Sequence, residues 1–101
     1  MLSLDTPPRT ERLTNRTRLE ILAGILQISR SGALKTHIMY KANLSHHQLE
    51  KYLDFLAKRG MLIRTLDENY DRPIYQATEK GIEFLKDYSR ISADLNPTEP
   101  E

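Results

Sequence analysis

The chain has 101 residues, enough for one domain built around one core. Hydrophobic residues make up 39% and charged residues 29%, no apolar run is long enough to span a bilayer, and the first dozen residues lack the apolar stretch of a secretory leader. There is no cysteine, which excludes a disulfide framework, thiol chemistry and thiolate metal sites, and the net charge is only +1. Residues 1–78 carry 12 basic and 8 acidic side chains, whereas residues 79–101 carry 3 and 6. The positive excess therefore lies in the first three quarters of the chain, where it sets the local field.

Residues 1–14 combine Thr6-Pro7-Pro8 with mixed charge and no apolar period, and are expected to form a mobile arm. Arg9, Arg12, Arg16 and Arg18 give this region the basic character that phosphates attract. A first helix is expected from about Thr17 to Ser29. Leu19, Leu22, Ile25 and Leu26, with Ile21 and Ile28, form a wide apolar stripe that reads as core. Ser31-Gly32 ends it, with glycine as the left-handed cap.

A second helix is expected from Lys35 to Ala42, with Leu34, Ile38, Met39 and Ala42 on its buried side. Asn43 tolerates the left-handed conformation at its end. Only Asn43-Leu44 then separate it from Ser45, so the chain must turn a sharp corner, with Leu44 plugging the junction. Ser45-His46-His47-Gln48 fits a capping box, in which the serine side chain caps the first turn and the glutamine reaches back. Leu49, Tyr52, Leu53 and Leu56 then fall on one face of a third helix. His47, Glu50, Lys51, Asp54 and Lys58 fall opposite, with Gln48 at the edge, until Gly60 stops the helix.

Met61 to Leu66 reads as a strand with Leu62 inward, residues 67–72 as a polar turn, and Pro73 to Ala77 as a return strand whose proline suits an edge. Thr78 caps a last helix running to about Asp94, stopped before Asn96-Pro97, and residues 96–101 form an acidic tail. The expected fold is mainly α with a small β-hairpin: a winged helix-turn-helix over residues 15–78, followed by a C-terminal helix over 79–95.

The helix–corner–helix unit presents one helix outward while the core holds its back. That is the arrangement that places a helix in a DNA groove. Ser45, His46, His47, Gln48 and Lys51 are the candidate base readers, since imidazole and amide groups can meet base edges. Lys35, Thr36 and Lys41 are candidate phosphate contacts, with Arg64 and Arg72 as supports from the hairpin. Glu50 and Asp54 would repel phosphates unless they pair with Lys51 and Lys58 or accept from a cytosine amino group. Asp67, Glu68 and Asp71 outweigh Arg72 in the hairpin turn, and Tyr70 is expected to cap the hairpin against its base. Adjacent histidines on a helix diverge by about 100°, so His46 and His47 do not converge on a metal ion. No phosphate-binding glycine loop, nucleophile elbow or carboxylate pair is present, and neither catalytic residues nor a cofactor are expected. In the last helix Phe84, Tyr88, Ile91 and Leu95 follow the 4-3-4 step of a heptad seam, while Ile82 and Leu85 face another side. This seam is the candidate homodimer interface.

The segment KTHIMYKANLSHHQLEKYLDFLAKRGMLI, continued by YQATEKGIEFLKDY, resembles the ArnR-type archaeal winged-helix family, which includes the small dimeric winged-helix DNA-binding proteins of Sulfolobus. The resemblance covers about residues 17 to 90. It is most specific at Lys35-Thr36, Ile38 to Ser45 and Lys51 to Leu56; Thr78 to Gly81 is shared by winged-helix regulators generally. It implies binding to double-stranded DNA and dimerisation through the last helix, although here that helix is short. The expected function is a sequence-specific transcriptional regulator, cytoplasmic and nucleoid-associated, acting as a dimer. The alternatives are a winged-helix protein-interaction module without DNA and an architectural, chromatin-type DNA-binding protein. The sequence does not identify an effector.

Overall fold

The computed structural model describes residues 17–69 and 72–95. The expected arm (residues 1–14, with Arg9 and Arg12), Arg16, Tyr70 and Asp71 of the turn, the Asn96-Pro97 stop and the acidic tail lie outside them.

Helix α1 spans Arg18–Ile28 and opens on a capping box: Glu20 N–H donates to Thr17 Oγ1 at 3.1 Å, and Thr17 N–H donates to Glu20 Oε1 at 3.0 Å. Ile21, Ala23, Ile25 and Leu26 are buried, while Leu22 and Ile28 are half-buried against the core. Leu19 departs from the expected stripe, with 49% of its surface exposed. Periodicity places it on the correct face of the helix, but it belongs to the first turn, where the core has already ended. Beyond Ile28 the chain turns through Ser29, which is fully buried and fully satisfied. Its hydroxyl donates to the Ile25 carbonyl at 2.7 Å, and its own carbonyl accepts from Ala77 N–H at 2.9 Å. This polar bond joins the end of α1 to the sheet inside the core.

Gly32 takes φ +100°, and Ala33–Leu34 form a short strand, β1, that the sequence did not suggest. Two residues carry no readable period. Leu34 is consequently not on the buried side of the next helix. It is the extended residue that precedes that helix, with φ −74° and ψ 151°.

Helix α2 (Lys35–Ala42) buries Ile38 and Ala42, and ends on Asn43 in the left-handed conformation, φ 55° and ψ 54°. Leu44 N–H then donates to the Met39 carbonyl at 3.1 Å, and the Leu44 side chain is buried in the corner, as expected. Helix α3 (His46–Lys58) buries Leu49, Leu53 and Leu56, with Tyr52 half-buried beside them.

Strands β2 (Leu62–Asp67) and β3 (Arg72–Ala77) pair antiparallel from Leu62↔Ala77 to Asp67↔Arg72. β1 adds to the other flank of β3 through Ala33↔Tyr75 and Leu34↔Ile74, giving a three-stranded antiparallel sheet in the order β1-β3-β2. The return strand is therefore central rather than an edge. Pro73 is tolerated because β1 reaches only as far as Ile74, so one flank of the strand is open at Pro73.

Helix α4 (Glu79–Leu95) begins at Thr78, whose hydroxyl accepts from Gly81 N–H at 3.1 Å and donates to the Gly60 carbonyl at 2.6 Å. Thr78 N–H donates to the Met61 carbonyl at 2.9 Å. These bonds anchor the start of α4 to the end of α3, and Lys80 Nζ adds a 2.7 Å bond to the Arg59 carbonyl. Leu85 is buried and Ile82 half-buried, so this side of α4 packs on the domain as expected. Among the described residues there are four helices and one three-stranded sheet, in the order of a winged helix-turn-helix with a C-terminal helix.

Candidate nucleic-acid interface

Two pieces of local chemistry fix the outward face of α3. Burial of Leu49, Leu53 and Leu56 sets its rotation. The Ser45 box sets its start: Gln48 N–H donates to Ser45 Oγ at 3.1 Å and Ser45 N–H donates to Gln48 Oε1 at 3.0 Å. Ser45, His46, His47, Gln48, Glu50, Lys51, Asp54 and Lys58 are all exposed in consequence. Every sequence-nominated residue of the helix thus reaches one solvent-facing surface. Gln48 does so with its carbonyl oxygen already engaged in the cap, which leaves its amide N–H groups as the part available to a partner. The Ser45 hydroxyl remains free to donate, because its cap bond uses only its acceptor side.

On α2, Thr36, His37, Tyr40 and Lys41 are exposed. Tyr40 stands out, with 84% of its surface open on a helix whose neighbouring apolar residues Ile38 and Met39 turn inward. The helical period alone places it two residues, about 200°, from Ile38. A phenol at this position combines a hydrogen-bonding tip with an apolar ring.

The charges on this surface are partly matched. Asp54 pairs with Lys58 at 3.2 Å, one of the pairings that keeps a carboxylate from standing alone on this surface. Glu50 does not pair with Lys51. It forms an ion pair across the corner with Lys35, and His46 Nε2 lies 3.5 Å from the same carboxylate oxygen. Lys35 and Glu50 are fifteen positions apart, so no helical spacing rule connects them, and only the sharp corner does. Among the described residues Lys41 and Lys51 carry no ion pair.

In the hairpin, Arg64 shares the sheet face of Leu62 but lies farther out and is exposed, as are Leu66 and Arg72. Arg64 belongs to β2 and Arg72 to β3. Phe55 and Arg59 form an additional surface pair, the guanidinium carbon 3.7 Å from the ring centroid. Among the described residues no group of three or more His, Asp or Glu side chains is placed to hold a metal ion, and no helix is long and apolar enough to cross a membrane.

The nominated seam of α4 divides. Phe84 and Tyr88 are half-buried, and their rings stack with centroids 6.2 Å apart and planes 18° from parallel. Ile91 is 51% exposed, and Leu95 ends the helix. Exposed Leu19 of α1 joins Phe84, Tyr88 and Ile91 along an open groove, edged by Glu20 and Asp87.

Comparison with known proteins agrees with this fold. A family model described as winged helix-turn-helix matches residues 15–95. An uncharacterized protein of Methanocaldococcus jannaschii is 34% identical over 71 residues, covering 69% of this chain and 67% of its own. The crystal structure of Sso10a-2, a DNA-binding protein from Sulfolobus solfataricus, superposes with a TM-score of 0.65 at 31% identity, covering 79% of this chain and 85% of its own. The MepR–DNA complex of S. aureus gives a TM-score of 0.66 at 16% identity over 83% of this chain and 70% of its own, a likeness of fold. The chain belongs to the winged helix-turn-helix family.

Proposed function

We propose that this protein is a sequence-specific regulator that binds double-stranded DNA by inserting α3 into the major groove. The observation that carries this reading is the capped, core-backed α3. Its N-terminal turn presents Ser45, His46 and His47 to solvent, and the exposed Lys41 and Lys51 carry no ion pair among the described residues. A helix held this way offers base-reading groups at its tip, and phosphate-binding groups flank it. In this reading Ser45, His46, His47, the amide of Gln48 and Lys51 meet base edges. Lys35, Thr36 and Lys41 meet phosphates, and Arg64 and Arg72 reach the backbone from the hairpin. Residues 15–78 form the DNA-binding unit. The description of Sso10a-2 as a DNA-binding protein and the solution of MepR with DNA support the partner class. Kinship with the ArnR-type archaeal branch, a role in binding rather than catalysis without a cofactor, and a cytoplasmic location belong to the same proposal.

Selection of preferred duplexes from a random pool tests it. The wild-type protein should enrich a defined sequence, and His47→Ala should enrich a more degenerate one. Equal enrichment by both proteins would remove His47 from the reading surface, and enrichment of no sequence by the wild type would point to architectural binding.

The second part of the proposal is a homodimer through α4, over residues 79–95, with Phe84, Tyr88, Ile91 and Leu95 as the seam. Support comes from the exposure of Ile91 and Leu19 on either side of the half-buried aromatic pair. Such a dimer would read two half-sites about one helical turn apart, or a multiple of that. Ile91→Glu should shift the sedimentation of the full chain from dimer to monomer and leave its circular dichroism unchanged; an unaltered dimer would place the interface elsewhere. The open apolar groove also favours a protein-interaction module. That reading expects partner binding that survives high salt.

A further inference from the structure

Glu50 is the sole acidic side chain of α2 and the N-terminal half of α3, and it is not solvated alone. Its carboxylate holds the Lys35 ammonium across the helix corner and lies 3.5 Å from His46 Nε2. Both partners belong to the surface proposed to meet DNA, so this inference rests on that reading. A carboxylate placed among phosphate-binding groups occupies the site a phosphate would take.

We propose that Glu50 is an internal counter-anion that suppresses binding to arbitrary DNA by withholding Lys35. In the free protein the ammonium already has an anionic partner. A phosphate must therefore displace Glu50, and the displaced carboxylate must then lie close to the DNA without a cation. Random sequence offers it nothing in return. A duplex that presents an amino donor in the major groove, such as the cytosine N4 group, supplies a hydrogen bond to the carboxylate and frees Lys35 for the backbone. Lys41, a phosphate contact that carries no ion pair among the described residues, gives the basal attraction. Glu50 makes the remainder conditional on sequence.

The competing account is structural: the Lys35–Glu50 bridge would only hold α2 and α3 at their angle. The two accounts predict opposite signs. If Glu50 withholds Lys35, Glu50→Gln should bind a random-sequence duplex more tightly. One additional phosphate contact is worth about 0.9 log units at 0.1 M salt, roughly an eightfold gain, and steepens the dependence of log K on log salt by about 0.9. If the bridge only supports the corner, the same change should weaken binding and lower the melting temperature.

The deciding experiment is a double-mutant cycle read by fluorescence anisotropy on a labelled random-sequence duplex across a salt series. It uses the full-length wild type, Lys35→Ala, Glu50→Gln and the double variant, with circular dichroism to confirm folding. Lys35→Ala should cost about eightfold in Glu50→Gln, returning the salt slope to its wild-type value, and several-fold less than that in the wild type, where Glu50 competes for the same ammonium on random sequence. Glu50→Ala should reproduce the gain; a gain in Glu50→Gln alone would come from the introduced amide contacting bases and would overturn the inference. An unchanged or weaker affinity for both Glu50 variants, or an equal cost of Lys35→Ala in both backgrounds, overturns the inference and leaves the DNA-binding proposal standing. Absence of binding by the wild type at low salt overturns both.

Discussion

Gly81→Ala is expected to destabilise the domain by about 2–4 kcal/mol, one of the largest single-residue effects available on its surface-to-core boundary. A methyl group at this position would lie 2.3 Å from the Met61 carbonyl oxygen and 3.2 Å from Leu26 Cδ2. The carbonyl is backbone and cannot rotate away. It also accepts the Thr78 N–H bond that fixes the start of α4. Relief therefore requires α4 to lift from the β2 entrance, which loosens the packing of Ile82 and Leu85 against the core. The helix propensity of alanine returns only about 1 kcal/mol, too little to offset this. For a domain of this size the melting temperature should fall by roughly 10–25 °C. Thermal unfolding followed by circular dichroism checks it, and a change under about 3 °C would mean that α4 can shift at negligible cost. The same geometry explains why glycine follows threonine by three positions here. Thr78 caps the helix and binds back to Gly60, and Gly81 lets the first turn lie against Met61.

The largest functional effect is expected from removing the two cations of the reading surface. Lys41→Ala should weaken binding to any duplex by about eightfold at 0.1 M salt and make the salt slope shallower by about 0.9, because it removes one phosphate contact. Lys51→Ala should add a loss of about 1–3 kcal/mol on the preferred duplex, because it removes a base contact. Folding should be unaffected, since both side chains are exposed and neither carries an ion pair among the described residues. Binding isotherms on preferred and random duplexes, measured side by side, test this. A loss from Lys41→Ala confined to the preferred duplex would make that lysine a base reader, and a loss under threefold for both variants on both duplexes would move the interface off α2 and α3.

How much of this was legible in the sequence depended on whether the responsible signal was local. The corner was local: Asn43 for the left-handed end, Leu44 for the plug and Ser45 with Gln48 for the box lie within six residues, and all adopt the expected geometry. The buried face of α3 was equally clear because four apolar residues repeat at helical spacing. Strand β1 was hidden because two residues have no period, and its partner β3 lies some forty positions away. The central place of β3 was hidden with it, so Pro73 pointed to an edge strand when only its own position is open. The exposure of Leu19 was hidden for a related reason. Periodicity identifies the face of a helix but not the point along its axis where the core ends. The Lys35–Glu50 pair was invisible because helix rules link residues three or four apart, and this contact exists only once the corner is folded.

The central claim is that the surface built by α2 and the start of α3 binds duplex DNA. Anisotropy titration of labelled random-sequence and genomic duplexes with the full-length protein, across a salt series, tests it most directly. The expected result is binding that weakens steeply with salt, by about 0.9 log units per log unit of salt for each phosphate contacted, with some genomic fragments held more tightly than random sequence. No binding at low salt, or binding indifferent to salt, would contradict it.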